Sequence, residues 1–167
     1  MAHADSCEIY VADRESLDVF MEEMAVRIAD CTPLMTEVGK QGVIEMRSRF
    51  DEQGSAVNGG WKELSKKYGA WKAEHFPGDT ILKRSDPMAS LSESISWNVL
   101  SPSAVEWGPV GIVYARVHDE GYKSIPQREY ATPSEEFLDR VEMGIYNWLG
   151  NGSVSLDGDS SAVSAAA

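Results

Sequence analysis

Positive charge is scarce in this sequence. Among 167 residues, 15 Lys and Arg face 27 Asp and Glu, for a formal net charge of −12. Proteins that grip nucleic acid phosphates displace counterions with Lys and Arg, so the balance argues against a surface built for that purpose. Cysteine is nearly absent. Cys7 and Cys31 have no CxxC spacing, and MAHADSCEIY carries neither the basic stretch nor the apolar core of a secretory signal. The expectation is two reduced thiols in a cytoplasm. No apolar run approaches the ~18 residues that span a bilayer, so no membrane partner is expected. HExxH, GxSxG and P-loop motifs are missing, as is GxGxxG after a strand. His3 and His75 sit far from other ligand types. No cofactor is implied.

What is present suffices for one folded domain. The hydrophobic fraction is 43%, ordinary for a globular chain, and a chain of this length buries roughly two-thirds of its surface. Charge is unevenly placed. The first 31 residues hold Asp5, Glu8, Asp13, Glu15, Asp18, Glu22, Glu23 and Asp30 against Arg14 and Arg27. The middle holds Lys62, Lys66, Lys67, Lys72, Lys83 and Arg84. Two solvated faces of opposite sign account for this. A sharper reading is a polar protomer whose acidic side meets a neighbour's basic side, a head-to-tail contact that closes into a ring when the rotation permits.

Leu17, Phe20, Met21, Met24 and Ile28 recur at helical spacing and predict an amphipathic helix from about Asp13 or Ser16, its methionines filling core. Thr32-Pro33 predicts the cap and first position of a second helix running to Phe50, with Met35, Val38, Met46 and Phe50 on one side. Gly39 and Gly42 lie inside it, each costing ~1 kcal/mol against Ala. They read as tolerated weaknesses or as points of close packing against another backbone. Residues 53–60, QGSAVNGG, form a flexible loop by composition. Trp61, Leu64, Tyr68 and Trp71 then suggest a short helix with an aromatic stripe, which is usually core. Interleaved with Lys66, Lys67 and Lys72, the same aromatics would stack on single-stranded nucleic acid, but the acidic background speaks against it.

Ile95, Trp97 and Val99, then Val105 and Trp107, alternate with polar neighbours around Ser101-Pro102-Ser103, which predicts a hairpin. Residues 112–117 suit a third strand or a short buried helix. Ile125 precedes proline and is pushed toward extended backbone. Thr132-Pro133-Ser134-Glu135 predicts a capping box opening a helix with Phe137, Val141, Ile145 and Trp148 or Leu149 on one face. Residues 150–167 are low in complexity and bury too little to offset their ordering entropy.

His118-Asp119-Glu120 is the best case for chemistry, as a metal-dependent hydrolase. Consecutive residues splay by ~100° on a helix and alternate on a strand, while zinc ligands are usually spaced two to four residues apart. Three in a row do not easily converge, and the reading is a non-enzyme in which His118 fixes a strand end or a subunit contact.

The order of several pieces resembles the phage virion morphogenesis, or tail completion, family of Mu-like and other contractile-tailed phages. Trp61-Lys62-Glu63-Leu64-Ser65 is similar to its W-x-x-L-S segment. Ile81-Leu82 and Leu91-Ser92-Glu93-Ser94-Ile95 resemble its lead into the first strand. Tyr114-Ala115 with His118-x-x-Gly121 resembles its Y-A-x-x-H-x-x-G signature. Ile125-Pro126-x-Arg128 and the helix after it resemble its I-P-x-R elbow and terminal helix. Tyr130-Ala131 departs from the family's Phe-Leu pair, and Ser85-Asp86-Pro87 from a simpler turn.

The resemblance implies a structural protein of the head–tail junction, a tail terminator, tail completion protein or neck connector. It would be a homo-oligomeric ring, commonly hexameric, docking to tail-tube and to head-completion or portal proteins. Its place would be the virion, after assembly in the host cytoplasm. DNA would pass through the lumen without sequence-specific binding, and acidic walls would let it slide. A capsid or tail-tube component is the alternative. The expected fold is α+β, an antiparallel sheet with N-terminal helices and a C-terminal helix packed on it. The expected organisation is an extension over 1–12, one domain over 13–149 (helical part 13–52, loop 53–60, sheet and last helix 61–149) and a tail over 150–167. The expected subunit contacts are Trp61, Tyr114, His118, Arg128, Glu22, Glu23, Lys66 and Lys67.

Overall fold

A computed structural model of the chain describes residues 13–54, 59–85 and 90–156. Residues 1–12 and 157–167, parts of the 53–60 loop and of the 85–87 turn, and Cys7 lie outside the described residues. The order of elements is α1 (Arg14–Ala29), α2 (Thr32–Asp51), α3 (Lys66–His75), β1 (Ile95–Ser101), β2 (Ala104–Pro109), α4 (Ala115–Glu120) and α5 (Glu135–Asn151). The fold is α+β, with one two-stranded antiparallel sheet among the described residues. No helix of these residues is long and apolar enough to cross a membrane.

α2 is the spine. Leu34, Val38, Gly39, Gly42, Val43, Met46, Arg49 and Phe50 are its buried residues, a stripe at steps of three and four that faces the sheet. The hairpin pairs Trp97 with Trp107 and Val99 with Val105, so the apolar members of each strand share one face and lie on α2. The glycines of α2 make this possible. A Cβ at Gly42 would stand 2.6 Å from the Trp107 ring, and one at Gly39 2.8 Å from Val105 Cγ2. The close packing expected at these glycines is therefore against side chains of the chain's own sheet.

Two clusters form the core. One gathers Val43, Met46, Phe50, Trp61, Leu91, Ile95, Ala115 and Tyr130. Phe50 is its hub, 5.4 Å from the Trp61 ring and 5.2 Å from the Tyr130 ring. The other gathers Leu34, Val38, Phe137 and Leu156, and Phe137 reaches the sheet through the edge of Trp107. α5 is held to α2 at its N-terminus, where Glu45 accepts from the Ser134 hydroxyl and pairs with Arg49 at 3.3 Å and Arg140 at 3.8 Å.

Several local expectations move. Cys31, not Thr32, occupies the N-cap of α2, because the Asp30 carboxylate takes the Thr32 N–H at 3.0 Å. Ser134, not Thr132, caps α5 by accepting from Phe137 N, and the Thr132 hydroxyl bonds Glu129 instead. The helix expected from Trp61 starts only at Lys66, capped by Ser65. Trp61 sits before it, buried, with its indole N–H donating to Glu129 O at 3.0 Å. Tyr68 and Trp71 are exposed, so that aromatic stripe is not core. Residues 115–120 resolve the open choice as a short helix. The packed chain also runs past 149: Gly152 turns it in the left-handed region, φ 76°, and Leu156 returns to the second core cluster.

The largest difference is α1. Its period is helical as expected, yet none of its residues is buried. Leu17, Phe20, Met21 and Ile28 are exposed. The helix is tied down near its end, where Arg27 donates to Leu149 O at 2.9 Å and Trp148 Nε1 donates to Arg27 O at 3.1 Å.

Candidate functional site

The short helix α4 and the elbow after it form a single device. Gly121 ends α4 with φ 77°, and a Cβ there would lie 2.9 Å from Gln127 N. Only glycine allows so close a return. The chain doubles back through a Tyr122–Ile125 bridge, with Pro126 following an extended Ile125. Arg128 N then donates to His118 O at 2.8 Å. The His-x-x-Gly and Ile-Pro-x-Arg pieces are thus the two sides of one reversal.

This reversal separates the three neighbouring ligand types. Asp119 Oδ1 accepts from the backbone N–H of Tyr130 at 2.9 Å and of Ala131 at 3.1 Å. Glu120 pairs with Arg116 at 2.8 Å on the surface. His118 turns into a cleft. Among the described residues no three His, Cys, Asp or Glu are placed to hold a metal ion together.

His118 lines a cleft of about 220 Å³ with Leu64, Tyr68, Lys72, Leu82, Lys83, Arg84, Leu91, Tyr114 and Arg128. α3 contributes Tyr68 and Lys72, four apart and so on one face. The Tyr114 ring meets the His118 imidazole edge-on, centroids 5.7 Å apart. His118 Nδ1 is buried with no hydrogen-bond partner. Burial, and secondarily the Arg128 charge, holds the imidazole below its usual pKa, which favours the neutral form.

Two of the cations are deeply placed. Lys72 is 4% exposed and Arg128 3%. Lys72 Nζ donates to the carbonyl oxygens of Thr80 and Lys83. Arg128 Nε and Nη2 donate to Lys62 O at 3.1 and 3.0 Å. Burial pulls both below their ordinary pKa values, and for Lys72 the Asp79 carboxylate partly opposes this.

The expected contact residues are thus brought into two places. Tyr114, His118 and Arg128 share the cleft, and Lys66 and Lys67 lie exposed on α3 beside it. Glu22 and Glu23 lie on α1, Glu23 paired with Arg27 at 2.8 Å. Trp61 belongs to the core, and the Arg128 guanidinium braces the 62–63 backbone from inside. Sequence reasoning missed the burial of Lys72. Its spacing of four from Tyr68 was the available signal, but a lysine in a lysine-rich stretch reads as solvated.

No match was found among curated proteins or among solved structures. A family model does match, over residues 12–152, from α1 through the end of α5. That span takes in the hairpin, the reversal and the cleft together. The chain belongs to the phage virion morphogenesis family and is by that membership a virion assembly protein.

Proposed function

We propose that this protein acts at the head–tail junction as a tail terminator, tail completion protein or neck connector, and that it does so as a homo-oligomeric ring, most simply a hexamer. The observation that carries this is α1. A 16-residue helix with no buried residue presents apolar side chains that a lone protomer leaves in water. An exposed apolar stripe of this kind marks an interaction surface. Its opposite side is acidic, whereas the 62–84 region is basic, and unlike surfaces on one protomer produce a head-to-tail contact. Family membership supports the virion setting, and ring docking to tail-tube and head-completion or portal proteins is the mechanism that this surface would serve.

The test is the mass of the purified chain by light scattering at low and moderate salt. A discrete species near six times 18.4 kDa is the expected result. A mass that grows without limit overturns the closed ring and favours a component that polymerises, such as a tail tube. A monomer both alone and when mixed with purified tail tubes overturns the reading.

A further inference from the structure

The hairpin of β1 and β2 is a sheet with both edges open. Val110 N donates to Ser94 O at 3.0 Å, which makes Ser94 and Val110 a hydrogen-bonded pair, and the register from Ile95–Pro109 to Val99–Val105 alternates from there. Ser96 with Gly108 and Asn98 with Glu106 direct their N–H and C=O groups into the hairpin. Ile95, Trp97 and Val99 direct theirs to the outer edge of β1, and Val105, Trp107 and Pro109 to that of β2. Among the described residues no third strand joins either edge.

Both edges are closed at the same end. Arg47 Nη2 donates to Ile95 O at 3.0 Å, and Pro109, opposite, has no N–H to donate. At Trp97, Val99, Val105 and Trp107 the outward backbone groups have no hydrogen-bond partner among the described residues. Edge strands that stay unpaired are usually blunted by lysine or another charge, yet β1 reads ISWNVLS, without a charged residue. The two open windows match in length, one step of two residues each, and lie at the same level. β1 of one copy therefore meets β2 of the next by rotation without sliding, the relation a closed ring requires. The faces match as well. Trp97 and Val99 come beside Trp107 and Val105 of the second copy on the α2 side, and Asn98 beside Glu106 on the exposed side, so no like charges oppose each other.

We propose that β1 of one copy pairs antiparallel with β2 of a second copy, through the backbone of Trp97 and Val99 on one side and of Trp107 and Val105 on the other, joining the hairpins into one sheet. This rests on the ring reading and names a contact within it. Each of the two residue pairs exchanges both of its N–H and C=O groups across the seam. The seam covers little apolar area, so it sets the register of neighbouring copies while the exposed stripe of α1 supplies the apolar contact. The occupant is a second copy because the chain carries both halves of the pairing, with the same stops at the same level.

The test is amide hydrogen exchange read residue by residue on the full chain, in the assembled species, free or on purified tail tubes, and in the same chain diluted to protomers. The inner amides of Ser96, Asn98, Glu106 and Gly108 should be protected in both. Those of Trp97, Val99, Val105 and Trp107 should slow at least about tenfold on assembly. Val99→Pro removes one outward N–H and spares the inner ladder, since edge positions tolerate proline. It should need at least about tenfold more protein to assemble, and the exchange comparison stands on the wild type if that variant does not fold. A ring without added protection at the four amides overturns the pairing and leaves the ring standing on other contacts, as does a Val99→Pro chain that assembles like wild type. Protection of Trp97 and Val99 alone, on a dimer, overturns it in favour of β1 against β1 across a twofold axis. Protection of all four in a species that grows without limit keeps the pairing and removes the closed ring. A chain that is monomeric alone and with tail tubes overturns both.

Discussion

Replacing glycine by alanine should act with opposite signs in α2 and α3, and the sign follows from what the new methyl meets. In a helix interior the change is worth ~1 kcal/mol in favour of alanine. At Gly69 of α3 the added Cβ meets only Leu64 Cβ at 3.8 Å, an ordinary contact, so Gly69→Ala keeps most of that gain. At Gly42 the Cβ falls 2.6 Å from two atoms of the Trp107 indole. The ring cannot simply swing away, since it is packed against Phe137 and paired across the hairpin with Trp97. Overpacking of this kind costs ~1–3 kcal/mol, more where backbone must shift. A clash this close with a ring that is held takes the upper part of that range, about 2–3 kcal/mol, which less the ~1 kcal/mol helix gain leaves Gly42→Ala a net loss of about 1–2 kcal/mol, or about 2–8 °C in Tm for a chain of this size. The assay is urea unfolding by far-UV circular dichroism, with the slope checked for constancy so that a midpoint shift reports stability. A Gly42→Ala protein as stable as wild type, or one stabilised as much as Gly69→Ala, would refute the packing of α2 on the hairpin.

Other outcomes follow from the same structure. Asp119→Ala removes the acceptor for the Tyr130 and Ala131 N–H groups and should cost about 1.5–3 kcal/mol, read as a Tm drop. His118→Ala should cost clearly less, and the reverse order would contradict the roles given to the two. Arg128→Met leaves Lys62 O without its donors and should lower Tm by several degrees, about 2–4 °C per kcal/mol, with no rescue by Lys, which lacks the planar fork. Acid should destabilise the fold in two steps. His118 has a depressed folded pKa, so the unfolded chain binds the proton first and stability falls as pH drops below about 6.5. For Glu45, burial pushes the carboxyl up, but hydrogen bonds from Ser134 and Arg49 outweigh it and leave the value lowered. Its contribution is therefore present above the ordinary carboxylate range and lost as pH falls through the folded value. His118→Gln should flatten the first step and Glu45→Gln the second in a Tm-against-pH series. Finally, Phe20→Ser on α1 should leave protomer stability within ~0.5 kcal/mol of wild type while abolishing the assembled mass.

Much of the fold was legible because its periods are clean. The alternation Ile95, Trp97, Val99 and Val105, Trp107 around Ser-Pro-Ser fixes a hairpin and its inner face, and the α2 stripe could only be a packed helix. Caps shifted by one or two residues because Thr132 and Ser134 are chemically similar and a tertiary partner chooses between them, while at α2 the neighbouring Asp30 takes the Thr32 N–H. Glu45 chose Ser134. Periodicity also states that a helix has an apolar side without stating what covers it, and so α1 read as core. The cleft was half legible. Gly121 and Ile125-Pro126 announce two turns four residues apart, which is enough to suspect that His118 and Arg128, on either side of them, meet. That Lys72 joins them depends on the 76–85 turn wrapping its ammonium in carbonyls, and no side-chain pattern records a carbonyl.

The attachment of α1 has a consequence for how such a protein can change over time. The helix is held by two bonds near Arg27 and contributes no buried residue to either core cluster. Substitutions at its exposed, unpaired positions are therefore nearly invisible to folding and visible to whatever the helix touches. The domain behaves as a fixed body carrying an exchangeable adapter. One segment can be rewritten to suit a different neighbour while the hairpin, the reversal and the cleft stay as they are.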